Sequence, residues 1–183
     1  MSLHFFNFQG KKIVFVFGVW CLAHYIIGCT PLQIKGEVFS PAHKEYAAKM
    51  PGNEWSPLAA GEEDLVLWNK RRHATIAFIA SNVESKRPSP EILSEQLFLG
   101  IKNKKIISRE LVVVDGHSAV GTVLTGEIDN SPFEIASYIV RIGNRVYDFV
   151  CWAPLDLFDG ALSDFDEMMK SLDFLQQYVG KEQ

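Results

Sequence analysis

The sequence predicts an α+β domain, in which an antiparallel β-sheet carries helices on both faces and forms a three-layer α/β/α sandwich. Alternating apolar runs follow one another with only short turns between them, which is typical of hairpins and meanders. Two amphipathic segments give the order strands, helix, strand meander, helix. Parallel strands need a long crossover connection each, so this order favours an antiparallel sheet whose two faces are covered by the two helices.

The first predicted hairpin carries a basic tip. Residues 64–69 alternate between two faces, and residues 74–80 form a second apolar strand. The tip between them consists of Lys70, Arg71, Arg72 and His73. It is the clearest candidate binding site, for an anionic protein partner, a phosphate or lipid headgroups. The alternative is a solvated hairpin tip, where charges also protect against edge pairing.

The first helix is predicted to begin at Ser89 and Pro90, which suit the cap and the first turn. Its apolar stripe comprises Leu93, Leu97 and Ile101. Its basic C-terminal end comprises Lys102, Lys104 and Lys105.

The strand meander that comes next is predicted from its turns. Asp115-Gly116 suits a two-residue hairpin turn between residues 110–114 and 117–126. Asp129-Asn130-Ser131-Pro132 forms the next turn, and Gly143-Asn144 joins residues 133–142 to 145–153. Both faces of the last strand are rich in apolar residues, so we expect both to be covered.

The final helix is predicted to be capped by Ser163, with acidic residues in its first turn. These residues are Asp164, Asp166 and Glu167. Its apolar stripe comprises Phe165, Met168, Met169, Leu172 and Leu175.

The N-terminus has the pattern of a secretory signal. Lys11 and Lys12 precede the apolar run 13–27, which is shorter than a membrane span. Residues 26–29, Ile-Ile-Gly-Cys, resemble the bacterial lipobox. That resemblance implies cleavage before Cys29 and acylation of its thiol. The alternative is an uncleaved signal anchor.

The predicted division of the chain is based on this signal. Residues 1–28 are the lipoprotein signal peptide and 29–43 an acylated leash with little periodicity. Residues 44–178 form the α+β domain, with ordered structure expected from near Tyr46, and 179–183 are a tail. Acyl chains would tether the domain to a membrane of the cell envelope. In a Gram-negative cell, Thr30 after the cysteine favours the outer membrane, facing the periplasm.

Charge and cysteine content exclude several classes of protein. Removing the leader takes away Lys11 and Lys12 and no acid, so the 18 basic residues become 16 against 22 acidic ones. An acidic domain of this kind has no basic field to recruit nucleic acid. Cys151 is the one cysteine left for the folded domain, and its apolar neighbours predict a buried, unreactive side chain.

Two parts of the domain resemble the PsbP-like superfamily. Residues 46–55 resemble its opening strand followed by Pro and Trp. Residues 146–149, Ala153-Pro154 and 170–174 resemble its closing strand and helix. The resemblance implies an antiparallel sheet between helical layers and a role in docking or assembly, since the superfamily has no shared reaction.

No catalytic residue, metal site or cofactor is predicted. Ser118 and Ser137 lack a nucleophile motif, and no metal-binding spacing of His and Cys is present. Asp115 and His117 suit a surface turn better than a metal site. The acidic group Asp156, Asp159, Asp164, Asp166 and Glu167 does not match the EF-hand spacing, and helix-dipole matching explains its last three members.

These observations favour a non-catalytic interaction or assembly module with a protein partner in the envelope. Its docking face is expected near Trp55 or Trp68, because aromatic residues are enriched in interfaces. A carrier or sensor of a small apolar ligand, held between sheet and helix, is the alternative. A hydrolase is the least favoured.

Overall fold

A computed structural model of the 183-residue chain describes five segments. They are residues 33–35, 38–41, 45–58, 65–83 and 88–175. The signal peptide, Cys29 and the tail predicted from the sequence lie outside these segments. Contacts within the chain group Leu32–Gln183 into one unit.

The described segments contain eleven strands and two helices. The strands are β1 Gln33–Lys35, β2 Val38–Ser40, β3 Tyr46–Lys49, β4 Trp55–Pro57, β5 Leu65–Asn69, β6 Ala74–Asn82, β7 Lys102–Val114, β8 His117–Ile128, β9 Ser131–Ile142, β10 Arg145–Pro154 and β11 Asp173–Phe174. The helices are α1 Pro90–Leu97 and α2 Phe158–Lys170.

The strands form two antiparallel sheets. The larger has the order β4-β5-β6-β10-β9-β8-β7, and the smaller has the order β1-β2-β3-β11. Every strand pair in both sheets is antiparallel. The predicted α+β class, antiparallel sheets with two helices, is therefore confirmed.

The predicted hairpin turns are confirmed by their backbone angles. Asp115 and Gly116 have φ of 44° and 77°, and Asp129 and Asn130 have φ of 51° and 62°. Two successive left-handed residues match the right-handed twist of the flanking strands, which is why Asp, Asn and Gly are favoured there. Gly143, with φ of 59°, turns β9 into β10.

Two hydrophobic clusters fill the space against the larger sheet. The larger cluster contains Phe165 of α2 together with Phe78 and Phe149 of the sheet. The smaller contains Phe98, which comes directly after α1, and Leu124, Ile135 and Val150 of the sheet. As predicted, β10 is covered on both sides, since Phe149 and Val150 are both buried.

Helix α1 is shorter than predicted. It ends at Leu97, so Ile101 lies beyond it and Lys102, Lys104 and Lys105 begin β7 instead of closing the helix. Phe98 leaves the helical path to become buried, and Gly100 has φ of 89°, a left-handed conformation typical of helix ends.

Helix α2 begins earlier than predicted. Its N-cap is Leu157, and Ser163 lies inside the helix. Phe158 and Ala161 are buried and continue the apolar stripe in the N-terminal direction, which extends the helix. Its acidic first-turn residue is Asp159. Helix-dipole matching therefore does not explain Asp164, Asp166 and Glu167, and that interpretation was wrong.

The smaller sheet joins the two ends of the domain. Among the described residues, regular structure is present before the Tyr46 expected, because β1 and β2 occupy part of the segment interpreted as a leash. Phe39 of β2 is buried in the larger cluster. The Arg145 guanidinium, at the start of β10, makes a bidentate ion pair with the buried carboxylate of Glu45, at 2.6 and 2.7 Å. This pair fixes the smaller sheet to the larger one.

Candidate functional site

The basic tip joins β5 to β6, as predicted, and the loop is closed by Asn69. The Asn69 Oδ1 accepts backbone hydrogen bonds from the N–H groups of Arg71 and Arg72, at 3.1 and 3.0 Å. A side-chain amide that bonds the backbone two and three residues onward stabilises a turn. His73 ends the turn with φ of 47° and makes an edge contact with the Trp68 ring.

Both arginines of the tip contact carboxylates of the same domain. Arg72 Nη1 lies 2.7 Å from Asp164 Oδ2 and 3.2 Å from Glu54 Oε2, and Arg71 Nη1 lies 2.7 Å from Glu54 Oε1. Trp55 Nε1 donates a hydrogen bond to the same Asp164 oxygen at 2.8 Å. These contacts connect the hairpin tip to α2, so both arginines have a structural partner. Lys70 and His73 are exposed.

A glycine in α2 makes room for this contact. A side-chain carbon built at Gly160 would lie 2.9 Å from Arg72 Nε. A larger residue would push the guanidinium away from Asp164. The glycine therefore has a packing reason within the helix, despite its low helix propensity.

Trp55 is not part of an exposed docking face, which corrects that prediction. It is 5% exposed, and its indole N–H is bonded to Asp164. Trp68 is half-buried. An amphipathic ring with a buried hydrogen bond stabilises the core.

Asp115 and His117 contact the smaller sheet. Asp115 Oδ2 accepts the backbone N–H of Phe174 at 2.7 Å, and the His117 ring lies edge-on to the Phe174 ring at 5.2 Å. The β7–β8 turn thus holds β11 in place. Within the described segments, no group of three or more His, Cys, Asp or Glu side chains is arranged to hold a metal ion.

Cys151 is fully buried, as predicted. Burial raises the pKa of its thiol, and the charges of Asp166 and Asp164 add to that effect. A thiol held in its neutral form in a packed core is a poor nucleophile.

A groove, not found from the sequence, lies between α2 and strands β7, β8 and β9. Helix α2 packs mainly on β10, β9, β6 and β3, and the β7–β8 side of the sheet extends beyond it. The resulting groove has a volume of about 250 Å³ and opens to solvent. Its apolar walls include Val112, Val123 and Leu162, all half-buried.

A row of three residues across the sheet forms the floor of the groove. Glu110, Gly121 and Tyr138 lie side by side on β7, β8 and β9. A side-chain carbon built at Gly121 would lie 3.3 Å from Tyr138 Cε1 and 3.6 Å from Val112 Cγ1. The glycine thus lets the tyrosine ring lie low over the sheet and leaves a depression between Glu110 and Tyr138.

The polar end of the groove carries two carboxylates and a phenol. Tyr138 Oη donates a hydrogen bond to Asp166 Oδ1 at 3.2 Å. Burial raises the pKa of Tyr138 to about 12, and the nearby charges of Asp166 and Glu110 contribute to this rise. Asp166 is therefore an acceptor in the groove, a role that helix-dipole reasoning did not identify.

A second hollow of about 450 Å³ shares Val112, Tyr138 and Asp166 with this groove. It continues along apolar side chains, among them Met169 and Leu172. Together the two hollows carry carboxylates at the Glu110 end and a mixture of apolar and charged side chains, among them Leu172 and Lys170, at the other end.

The sequence contained one signal for this site. An isolated glycine within a strand pattern indicates a bulge or a close approach, and Gly121 is such a residue. Glu110 and Tyr138 carried no comparable signal, because only the strand register brings them together.

In the described part of the chain, no helix is long and apolar enough to cross a membrane.

Comparisons with known proteins identify the fold. CyanoP, the cyanobacterial PsbP of Synechocystis, matches with a TM-score of 0.57 and 14% identity over 81% of this chain and 99% of its own. A Bacteroides thetaiotaomicron protein matches with a TM-score of 0.57 and 12% identity over 79% of this chain and 50% of its own. LpqN of Mycobacterium tuberculosis, involved in cell envelope biogenesis, matches with a TM-score of 0.55 and 12% identity over 66% of this chain and 78% of its own.

No family profile and no curated protein matches the sequence. At these identities the structural likenesses establish the fold alone. They agree with the resemblance found in residues 46–55 and 146–174. The described domain has a PsbP-like fold.

Proposed function

We propose that this protein is a membrane-anchored, non-catalytic interaction module of the cell envelope. The PsbP-like fold supports this role, because that superfamily resemblance implies docking and assembly. LpqN, of similar fold, is involved in cell envelope biogenesis. The lipobox at Cys29 supports a lipid anchor, and in a Gram-negative cell the domain would face the periplasm from the outer membrane.

The proposed layer arrangement is the three-layer sandwich expected from the sequence. Phe149 packs in the cluster of α2, and Val150 packs in the cluster next to α1. Successive residues of a strand point to opposite faces of its sheet. The two clusters, and with them the two helices, would therefore lie on opposite faces of the larger sheet.

The observation that carries the interaction role is the free edge of β7. This strand of 13 residues is the last in the larger sheet, and among the described strands it pairs with β8 alone. Leu111 and Val113 are 72% and 74% exposed. Register shifts interrupt its first half, but its pairing with β8 is regular from Ser108 to Val114. The C-terminal part of this edge is therefore regular and exposes two large apolar side chains, and such a segment can pair with another strand.

The occupant proposed for this edge is an extended strand of a partner protein. Its backbone would pair with β7, and apolar residues would face Leu111 and Val113. Acidic residues near one end would face Lys104 and Lys105, which are exposed. A second contact for an anionic partner remains predicted at the basic tip, which comprises Lys70, Arg71, Arg72 and His73. Lys70 and His73 would make this contact first, because both arginines already contact carboxylates of the domain.

Site-specific photocrosslinking in the native host tests this function. A photoreactive residue at position 111 should yield one discrete protein adduct, and Val113→Asp should abolish it. The matched control position is Glu167, which is exposed on α2. Adducts with lipid, or the same adducts from both positions, would contradict strand docking at β7.

The anchor is tested separately by intact-mass analysis of protein from the native host. The expected mass corresponds to a chain that begins at Cys29 and carries acyl groups. A chain that retains residues 1–28 and has a free thiol at Cys29 would refute the lipid anchor, favour the uncleaved signal anchor and leave the docking proposal standing.

A second candidate function is supported by the groove between α2 and β7–β9. Its volume, about 250 Å³ with an adjoining hollow, approaches that of small-molecule sites. A carrier or sensor of a small ligand is therefore the alternative, in the sheet–helix position expected from the sequence.

A further inference from the structure

The groove between α2 and β7–β9 has an uneven distribution of charge. Glu110 and Asp166 line the first hollow, and no lysine or arginine lines it. Asp166 Oδ1 accepts the phenol proton of Tyr138, which leaves Oδ2 with no hydrogen bond in the described structure. Glu110 is exposed and makes no hydrogen bond or ion pair with any described residue. Two carboxylates with free acceptor capacity therefore face one depression.

The space between these carboxylates comes from Gly121. Glu110 and Tyr138 flank it in the same row, and it has no side chain of its own. A planar or compact polar group can therefore approach the sheet there, between one carboxylate on β7 and another on α2.

The adjoining hollow is lined by both apolar and charged side chains. Val112, Met169 and Leu172 line it, and it shares Tyr138 with the first. Asp115 also borders it, but its Oδ2 accepts the Phe174 N–H. Lys170 borders it too, which disfavours a cation at that end. The shape and charge therefore suit a molecule with a positive head and an apolar body.

We propose that this groove binds an amphipathic cation, whose ammonium or guanidinium head lies between Glu110 and Asp166 and whose hydrocarbon body extends along Val112 toward Leu172. The inference rests on the second candidate function, since it names the ligand class of that groove. It differs from the purely apolar ligand expected from the sequence, because the two carboxylates that line the first hollow attract a positive group.

A positive head on a hydrocarbon stem can belong to a free amine or to the side chain of a lysine or arginine in a partner protein. Both present the same head and stem, so both are compatible with the groove. They differ at the far end of the stem, where only the side chain is attached to a peptide backbone. A probe that carries backbone amides therefore separates the two sources.

The test is a titration of the full chain in nanodiscs of zwitterionic lipid, monitored by the methyl NMR signals of Val112, Val123 and Leu162. The probes are hexylammonium, hexanol and hexanoate. We expect hexylammonium to shift all three signals with a Kd of about 1 mM, typical of so small a ligand. Hexanol and hexanoate should bind at least about tenfold more weakly.

Charge variants locate the head. Glu110→Gln should weaken hexylammonium binding by about three- to tenfold, in the range of one partly exposed charge contact. The variant should fold normally, because Glu110 is exposed and unpaired in the described structure. Glu167→Gln, on the exposed side of α2, is the matched control and should bind like the natural chain.

The results separate the two hypotheses. Equal binding of hexanol and hexylammonium, or unchanged binding by Glu110→Gln, would overturn the cationic site while the ligand carrier stands. No shift with any probe would refute both. If the cation binds, N-acetyl-lysine methylamide distinguishes its source. Tighter binding than hexylammonium indicates a partner's side chain, and weaker binding indicates a free amine.

Discussion

Asp148 is expected to lower the stability of this protein at neutral pH. It lies in the middle of β10, directly between Ile79 of β6 and Ile139 of β9. Val146 and Val150 are its neighbours on the same face, and both are buried. No hydrogen bond or ion pair joins Asp148 to any side chain in the described segments. Burial alone raises the pKa of its carboxyl from 3.8 to about 6.

The magnitude is obtained from this shift in pKa. One pKa unit corresponds to about 1.4 kcal/mol, so the ionised carboxylate costs roughly 3 kcal/mol at pH 7. The folded state binds this proton more tightly than the unfolded state. The protonated carboxyl of Asp148 therefore contributes fully to the free energy of unfolding below about pH 3.8, and this contribution is lost as the pH rises through about 6.

The perturbation is Asp148→Asn, which removes the charge and keeps the shape. A buried amide still has a desolvation cost, so we expect a gain of about 1–3 kcal/mol at pH 7. For a domain of this size that corresponds to a rise in Tm of about 3–10 °C. The gain should shrink steadily between pH 6 and pH 4.

The assay is thermal unfolding by circular dichroism, for natural and variant chains, at each pH unit from 4 to 8. Asp156→Asn is the control, because Asp156 is exposed in the turn before α2. Its Tm difference should stay small. A variant at Asp148 that is less stable at pH 7, or a difference that does not change with pH, would refute the desolvation argument.

Three further predictions concern packing and reactivity. Arg72→Ala should lower the free energy of unfolding by about 1–2 kcal/mol in urea titrations, because Asp164 loses its ion pair. Lys70→Ala should change it by less than about 0.5 kcal/mol, and equal effects would count against the arginine contact. Gly126→Ala should cost about 1–3 kcal/mol by the same measurement, because its new methyl group would overlap the Ile101 side chain. A neutral result would mean that the isoleucine moves freely. Cys151 should resist a maleimide reagent at pH 8 until the protein unfolds, and rapid labelling at position 151 of the native chain, located by peptide mass analysis, would contradict its burial.

Turns and strand faces could be predicted because their signals are local. Asp115-Gly116 and Asp129-Asn130 are residue pairs that accept left-handed backbone, and the structure has both turns there. The alternation of residues 65–69 likewise predicted two faces, and in the structure Leu65, Leu67 and Asn69 share the buried one. Each of these patterns depends on neighbours a few residues away.

Helix boundaries were predicted less well, because tertiary packing outweighed capping signals. Ser163 before Asp164 has the pattern of an N-cap, but the burial of Phe158 extends the helix past it. In α1, the burial of Phe98 ends a stripe that continued in the sequence to Ile101.

The candidate groove could not be predicted, because it depends on distant parts of the chain. Tyr138 and Asp166 are 28 residues apart. The partners of Asp164, Trp55 and Arg72, are 109 and 92 residues away. A single sequence does not show which distant residues are in contact. Asp164 and Asp166 were therefore interpreted as matching a helix dipole, although each has a specific side-chain partner.

The pairing of β3 with β11 sets the order in which the domain can be completed. Tyr46 lies opposite Phe174, and the Leu175 N–H donates a hydrogen bond to the Glu45 carbonyl at 3.0 Å. The third strand and the last strand of the described domain therefore meet, from positions far apart in the sequence. During synthesis the small sheet has to wait for the final strand to emerge, and such late, long-range closure slows folding.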